Sequence, residues 1–176
     1  MKKLFSKYHS HYTFDLDKPK SLVVGYILQQ KEKKRSFLDK LTSVPIDFSE
    51  VSFTGKDRIE IKVRQTTLKP FKANGIIRIE LSTGLDRIGT RLQAEIIPYY
   101  KSNIYGTFFI ILFLALFAFF GLLISTNRLA IMIPFSFSFI FLLIIHLKVV
   151  NSRSQLKENL EDLVHELKRK ATANIV

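Results

Sequence analysis

The amino-acid sequence predicts an α+β protein with three parts: a small cytoplasmic antiparallel-sheet domain with one helix, a two-helix transmembrane hairpin, and a C-terminal amphipathic helix. Three observations lead to this prediction. Residues 1–100 alternate between apolar and polar side chains, residues 104–147 are almost free of charge, and residues 151–172 carry leucines at helical spacing. Alternation is typical of half-exposed strands, and uncharged runs of about 20 residues are long enough for membrane helices.

Four segments of the N-terminal region show the strand pattern. In DRIEIKVRQ, the apolar residues Ile59, Ile61 and Val63 share one face and charged residues occupy the other. HYTFDL, GIIRIELS and GTRLQAEIIP repeat this alternation. After the first of them, KSLVVGYILQQ has apolar residues at helical spacing, and Asp17 or Ser21 can cap the helix. The predicted order in domain 1–100 is strand, helix and then four strands, and these segments account for the first strand and for three of the four later ones.

The uncharged runs predict a hairpin that crosses the membrane twice. Residues 104–125 and 129–147 would form helices of roughly 33 and 28 Å, and the hydrocarbon core is roughly 30 Å thick. The connecting loop 126–128 carries one cation, Arg128, whereas several lysines and arginines flank the hairpin on its other side. Because cationic flanks resist translocation, we expect a multi-pass protein of the cell membrane with the loop outside and both termini cytoplasmic.

Ala118, Gly121 and Ser125 form a stripe of small residues in the first run. Such a stripe lets a second helix approach closely, either within the hairpin or from another subunit, and a chance occurrence is the alternative. His146 is the one ionisable residue inside the two runs. Its position near Lys148, at the helix end, favours an interfacial side chain over a proton path.

The chain is strongly basic, with 27 lysines and arginines against 15 acidic residues and a formal net charge of +12. The densest charge run is KEKKR at residues 31–35. Its four cations are candidates for contact with anionic lipid head groups, although a solvated loop or helix end is the plainer alternative: Lys31, Lys33, Lys34 and Arg35. No nucleic-acid partner is expected, because the aromatic residues of the strands alternate inward.

Four leucines of the C-terminal segment follow a 4-3-4 spacing, and they form a candidate partner face: Leu156, Leu160, Leu163 and Leu167. Fewer than two heptads do not sustain an isolated coiled coil. The stripe must therefore pack on the sheet of the same chain, on a second copy, on another protein or on the bilayer surface.

The sequence contains no motif of catalysis or cofactor binding. Without cysteine there is no disulfide or thiolate site, and no P-loop, nucleophile elbow or HExxH motif is present. His9 and His11 would share one face of a strand, but two ligands alone make a poor metal site. We therefore expect no enzymatic activity, no cofactor and no bound metal.

VSFTGKDRIEIKVRQ, KANGIIRIELS and GTRLQAEIIP, followed by a membrane hairpin, resemble small uncharacterised bacterial membrane proteins with a curved N-terminal sheet. The resemblance covers roughly residues 50–147. The matching positions are Phe53, Gly55, Gly75, Gly89, Thr90 and Arg91. It implies the same sheet-plus-hairpin architecture and no catalytic residues.

These features favour a binding or scaffolding module that is tethered to the membrane and contacts lipid or a protein partner, or itself, through its basic face and its C-terminal helix. Two alternatives are an accessory subunit of a membrane transport complex, which would use the small-residue stripe, and a membrane-anchored cup for an apolar ligand.

Overall fold

A computed structural model of the chain describes residues 6–32, 50–55, 57–63, 73–84, 88–124 and 128–173. In these ranges the strands and helices follow one another as β1 (Ser10–Leu16), α1 (Lys20–Glu32), β2 (Val51–Phe53), β3 (Arg58–Val63), β4 (Gly75–Thr83), β5 (Thr90–Ile97), α2 (Lys101–Ile124) and α3 (Arg128–Ala173). The α+β class and the predicted order of the first six elements are confirmed.

The five strands form one antiparallel sheet with the order β1-β5-β4-β3-β2. The three strands from β3 to β5 are neighbours in sequence and in space. β1 instead pairs with β5, from Ser10 opposite Ile96 to Leu16 opposite Thr90. The N-terminal strand therefore lies beside the strand that leads into α2.

One face of the sheet is apolar and covered by two helices. Ile61, Ile77 and Leu92 are fully buried there. Helix α1 contributes Val23 and Ile27 to this core. The second half of α3 contributes apolar side chains that are at most 4% exposed, namely Leu156, Leu160, Leu163, Val164 and Leu167. Burying these side chains is the main source of the domain's stability.

Helix α3 is one continuous helix of 46 residues. The separate helices expected at 129–147 and 151–172 are therefore joined, and the break expected between them is not formed. The connecting residues contain no glycine or proline that would end a helix. In addition, the backbone N–H of Asn74 donates to Oγ of Ser152 at 3.4 Å, so this polar residue has a partner inside the helix–sheet contact.

Helix α2 and the first half of α3 present large apolar side chains to their surroundings. Phe109 and Phe113 of α2 are 67% and 69% exposed, and Phe139 of α3 is 68% exposed. By length and composition, one helix of the described residues, over Ser136–Arg169, is apolar enough to cross a membrane, and a shorter apolar helix covers Tyr105–Phe117. This surface is consistent with association with a membrane.

Helix α3 runs along β1, from the first residue of the strand onward. Arg153 bonds to Ser10, and Lys157 lies 6.0 Å from the ring of Tyr12. Four helical residues advance about 6 Å and two strand residues about 7 Å, so helix and strand advance in the same sense between these two contacts.

Candidate functional site

The face of the sheet that lies opposite α1 and α3 is polar, and ion pairs cross its strands. Arg78 of β4 stands between two carboxylates, with its Nε 3.2 Å from Oε2 of Glu60 and its Nη1 3.3 Å from Oε2 of Glu95. Two register positions further along the strands, on the same face, Arg58 of β3 lies 3.3 Å from Glu80 of β4. Opposite charges directly across antiparallel strands stabilise a sheet modestly.

This polar face contains a cavity of about 570 Å³. Uncharged Thr13 and Gln93, which pair between β1 and β5, form part of its lining. Its ionised side chains are of both signs and pair with one another: Arg58, Glu60, Arg78, Glu80 and Glu95. Two arginines thus face three glutamates, so the expected basic face is not formed here. The excess positive charge of the chain lies elsewhere.

His9 closes one end of the row of charges. Its Nδ1 lies 2.8 Å from Oε1 of Glu95 and its Nε2 lies 2.7 Å from the hydroxyl of Tyr99. Both contacts can be hydrogen bonds: Nδ1–H of His9 donates to Glu95, and Nε2 accepts from the Tyr99 hydroxyl in a neutral imidazole or donates to it in a charged one. A chain of hydrogen bonds therefore runs from Tyr99 through His9 and Glu95 to Arg78.

The ionisation of Glu95 and Tyr99 follows from this arrangement. Partial burial alone would raise the pKa of Glu95, but the hydrogen bonds and charges of His9 and Arg78 outweigh it and lower that pKa. Burial, and then the negative charge of Glu95, raises the pKa of Tyr99. A phenol that acts as a nucleophile or base needs a lowered pKa, whereas the pKa of Tyr99 is raised. The hydrogen-bond chain is therefore suited to a structural role, in which it connects elements of the fold.

The residues that surround His9 connect the N-terminus to α3. The hydroxyl of Tyr8 lies 3.0 Å from Nδ1 of His146, and Nε of Arg153 donates to Oγ of Ser10 at 2.5 Å. We call residues 7–10 the N-terminal strap. The strap contacts β5 at its C-terminal end and α3 on both sides of the point where the helix meets the sheet.

The predicted partner face of α3 is already occupied inside the chain. Its leucines lie in the core beneath the sheet, which is the first of the four alternatives that the spacing left open. A face that is buried in this way does not reach a second protein. The physical reason is that the sheet exposes a broad apolar face that α1, with 13 residues, covers only in part.

Of the four predicted lipid-contact cations, the structure describes Lys31, and Lys33, Lys34 and Arg35 lie outside the described residues. The Lys31 ammonium is 5.8 Å from the ring centroid of Phe53. Phe53 pairs with Ile59, and Ile59 pairs with Ile79. Ile79 lies four residues after the first residue of β4, which is about 13 Å along the strand. Lys31 is therefore well away from the apolar halves of the helices, and this position does not favour contact with lipid.

The small-residue stripe cannot be placed in the same way. The side chains of Ala118 and Gly121, and all of Ser125, lie outside the part of the chain that the structure describes. His146 is exposed, as an interfacial side chain would be.

His9 and His11 differ in their contacts. His9 is engaged by Glu95 and Tyr99, and His11 lies opposite Glu95 in the pairing of β1 and β5. Over the described ranges, no three side chains of His, Cys, Asp or Glu are arranged to hold a metal ion. The roles of Glu95 and Tyr99 carried no local sequence signal, because their partner is about 90 positions earlier.

Comparison of the chain with protein-family models, with curated proteins and with solved structures finds no match. The resemblance to small bacterial membrane proteins therefore stays a prediction.

Proposed function

We propose that this chain is an integral membrane protein that serves as a binding or scaffolding module. In this proposal residues 104–125 and 129–147 form the transmembrane hairpin, the loop 126–128 lies outside, and both termini are cytoplasmic. The observation that carries the proposal is helix α3. Its first half exposes apolar side chains, and its second half is built into the core of the sheet domain.

A continuous helix between anchor and domain has a mechanical consequence. The sheet cannot swing freely, because no flexible linker separates it from the hairpin. The strap adds a second connection through Tyr8 and His146. A rigid mount is typical of a module that presents a surface in a defined orientation, and the polar face with its cavity is the surface that the described helices leave uncovered.

The alternatives fit these observations less well. An apolar-ligand cup would use the apolar face of the sheet, but among the described residues this face is filled by α1 and α3. The accessory-subunit hypothesis stays compatible with the exposed phenylalanines of α2, which suit lipid or a neighbouring helix equally.

Membrane insertion and topology can be tested in intact cells with single cysteines, because the natural chain has none. We expect Asn127→Cys to react with a membrane-impermeant maleimide added from outside, and Ser82→Cys to react only after permeabilisation. Reaction of Ser82→Cys in intact cells would show the opposite orientation. Extraction of the chain from membranes by alkaline carbonate would exclude the hairpin altogether.

The module itself can be tested by affinity purification from native membranes. Gln93→Arg places a long cation in the cavity on the polar face, whereas Ser154→Arg places the same group on an exposed position of α3. We expect Gln93→Arg to lose co-purifying proteins that Ser154→Arg retains. An identical set of proteins with both variants would argue that the polar face is only a solvated surface. A set dominated by transporter subunits, retained by both variants, would favour the accessory-subunit alternative.

A further inference from the structure

The surface of α3 changes character abruptly where the helix meets the sheet. Leu147 is 58% exposed and Val150 is 45% exposed, but Ser152 and Leu156 are buried. The change takes place within about two helical turns. His146 lies on the apolar side of this boundary, one turn before Val150, and it is exposed.

The N-terminal strap brings polar groups to this boundary. The Tyr8 hydroxyl lies 3.0 Å from Nδ1 of His146, and when the hydroxyl donates to Nδ1, the ring proton is on Nε2, which can then donate to a ligand. The Lys7 ammonium lies 5.1 Å from the centroid of the Tyr8 ring. An N–H donor and a cation are thus held close to one tyrosine, at the edge of an exposed apolar surface.

We infer that Lys7, Tyr8 and His146 form a binding site for the phosphate of an anionic phospholipid; this inference rests on the proposed membrane hairpin. The ammonium supplies charge, Nε2–H of His146 supplies a directional hydrogen bond, and the acyl chains would lie on the exposed apolar side chains of α3. Arg153, which lies seven residues after His146 on the same side of the helix, adds positive charge about 10 Å away.

The charge of Lys7 is not cancelled locally. Among the described residues no carboxylate lies within ion-pair distance of its ammonium. The side chain is also exposed. By contrast, Lys157 makes the same kind of contact with Tyr12 but pairs with Glu161 at 3.6 Å and lies over the sheet.

Lys148 provides a matched control, because its substitution distinguishes a defined lipid site from a general attraction of lipids to positive charge. It is two residues from His146, so it lies at nearly the same depth but on the opposite side of α3. A diffuse attraction of lipids to positive charge would use Lys148 as well as Lys7. A site built around Tyr8 and His146 would use Lys7 far more.

The test is native mass spectrometry of the full-length protein in detergent, titrated with phosphatidylglycerol or with phosphatidylcholine of the same acyl chains. We expect the wild type to prefer phosphatidylglycerol and Lys7→Gln to weaken that binding about fivefold. Tyr8→Phe should weaken it as well, whereas Lys148→Gln and Lys157→Gln should change it by less than about twofold. Thermal unfolding verifies that each variant is folded.

Three results would overturn the inference. They are equal binding of the two lipids by the wild type, equal losses in Lys7→Gln and Lys148→Gln, and an unchanged affinity in Lys7→Gln. Carbonate extraction of the membranes from which the protein is prepared distinguishes failure of the lipid site from failure of the proposed hairpin. A chain that stays in the membrane but shows no lipid preference contradicts the lipid site alone, whereas a chain that is extracted contradicts the hairpin and the site together.

Discussion

The hydroxyl of Tyr99 lies 2.7 Å from Nε2 of His9, a residue 90 positions earlier in the chain, and the two atoms share a hydrogen bond. This contact joins the strap before β1 to the segment that follows β5, at the end of the sheet where α2 begins. Glu95 holds the other nitrogen of the same ring at 2.8 Å. The imidazole is thereby fixed from both sides, and so is the start of the edge strand.

The pH dependence of stability should report on this contact. A carboxyl group whose pKa is lower in the folded than in the unfolded chain adds stability above its unfolded pKa, and this stability is lost as pH falls through the folded pKa. Glu95 is such a group. The unfolding midpoint of the wild type should decrease as the pH falls below about 4.3, and we expect this decrease to be smaller in Glu95→Gln. Circular dichroism measures both midpoints. Parallel midpoint profiles of the wild type and the variant would contradict this prediction.

Gly75 should tolerate no side chain. A Cβ at this position would lie 2.3 Å from the carbonyl oxygen of Ile97, in the backbone of β5, and 2.7 Å from Cδ1 of Leu156 in α3. We expect Gly75→Ala to lower the free energy of unfolding by about 1–3 kcal/mol. Gly25→Ala is the control, since a Cβ there meets no atom within 4 Å. It should raise the stability of α1 by up to about 1 kcal/mol. Equal effects of both alanines would show that the backbone of β5 and Leu156 do not approach Gly75 this closely.

Truncation of Leu160 should lower the free energy of unfolding far more than truncation of a leucine in the apolar half of α3. It is fully buried in the core, whereas Leu147 of the same helix is 58% exposed. We expect Leu160→Ala to lower the free energy of unfolding by about 2–5 kcal/mol and Leu147→Ala to change it by less than about 0.5 kcal/mol. Chemical denaturation in detergent measures both. Similar losses in the two variants would mean that the sheet does not bury the C-terminal half of α3.

The continuity of α3 can be measured as a distance. Spin labels on Ser82→Cys in the sheet and Ser136→Cys in the apolar half of α3 should give a narrow distribution of distances. Two glycines in place of Val150 and Asn151 should broaden it, because each glycine costs a helix about 1 kcal/mol and the sheet does not hold this stretch.

A matched pair of glycines tests whether the position matters. Glu161 and Asp162 are exposed residues in the half of α3 that packs on the sheet. Glycines there should leave the distance distribution narrow, because the neighbouring leucines stay anchored. A broad distribution in the unmodified helix would contradict the rigid connection.

The local parts of this fold were predictable, whereas its long-range contacts were not. Ile59, Ile61 and Val63 define β3 by their spacing alone, since side chains alternate across any strand. The pairing of β1 with β5 depends on residues such as His9 and Tyr99, which carry no shared local pattern. Likewise, the sequence predicts separate helices that end at residue 147 and begin at residue 151, whereas the acceptor role of Ser152 toward Asn74, inside one continuous helix, becomes visible only in three dimensions.

The candidate site shows the same division. The leucine spacing of α3 predicted a buried stripe but not which surface would cover it. The abundance of lysine and arginine predicted a basic face, yet each arginine in the cavity has a carboxylate across the neighbouring strand. Composition counts charges, whereas register decides which of them meet.

The continuity of α3 also determines where a partner of the cavity would be found. In the proposed topology, one uninterrupted helix carries the sheet domain directly on the membrane. The cavity would then stay at a nearly fixed distance from the bilayer surface. A partner would be a protein in the same membrane or on its surface, and the encounter would be a search in two dimensions.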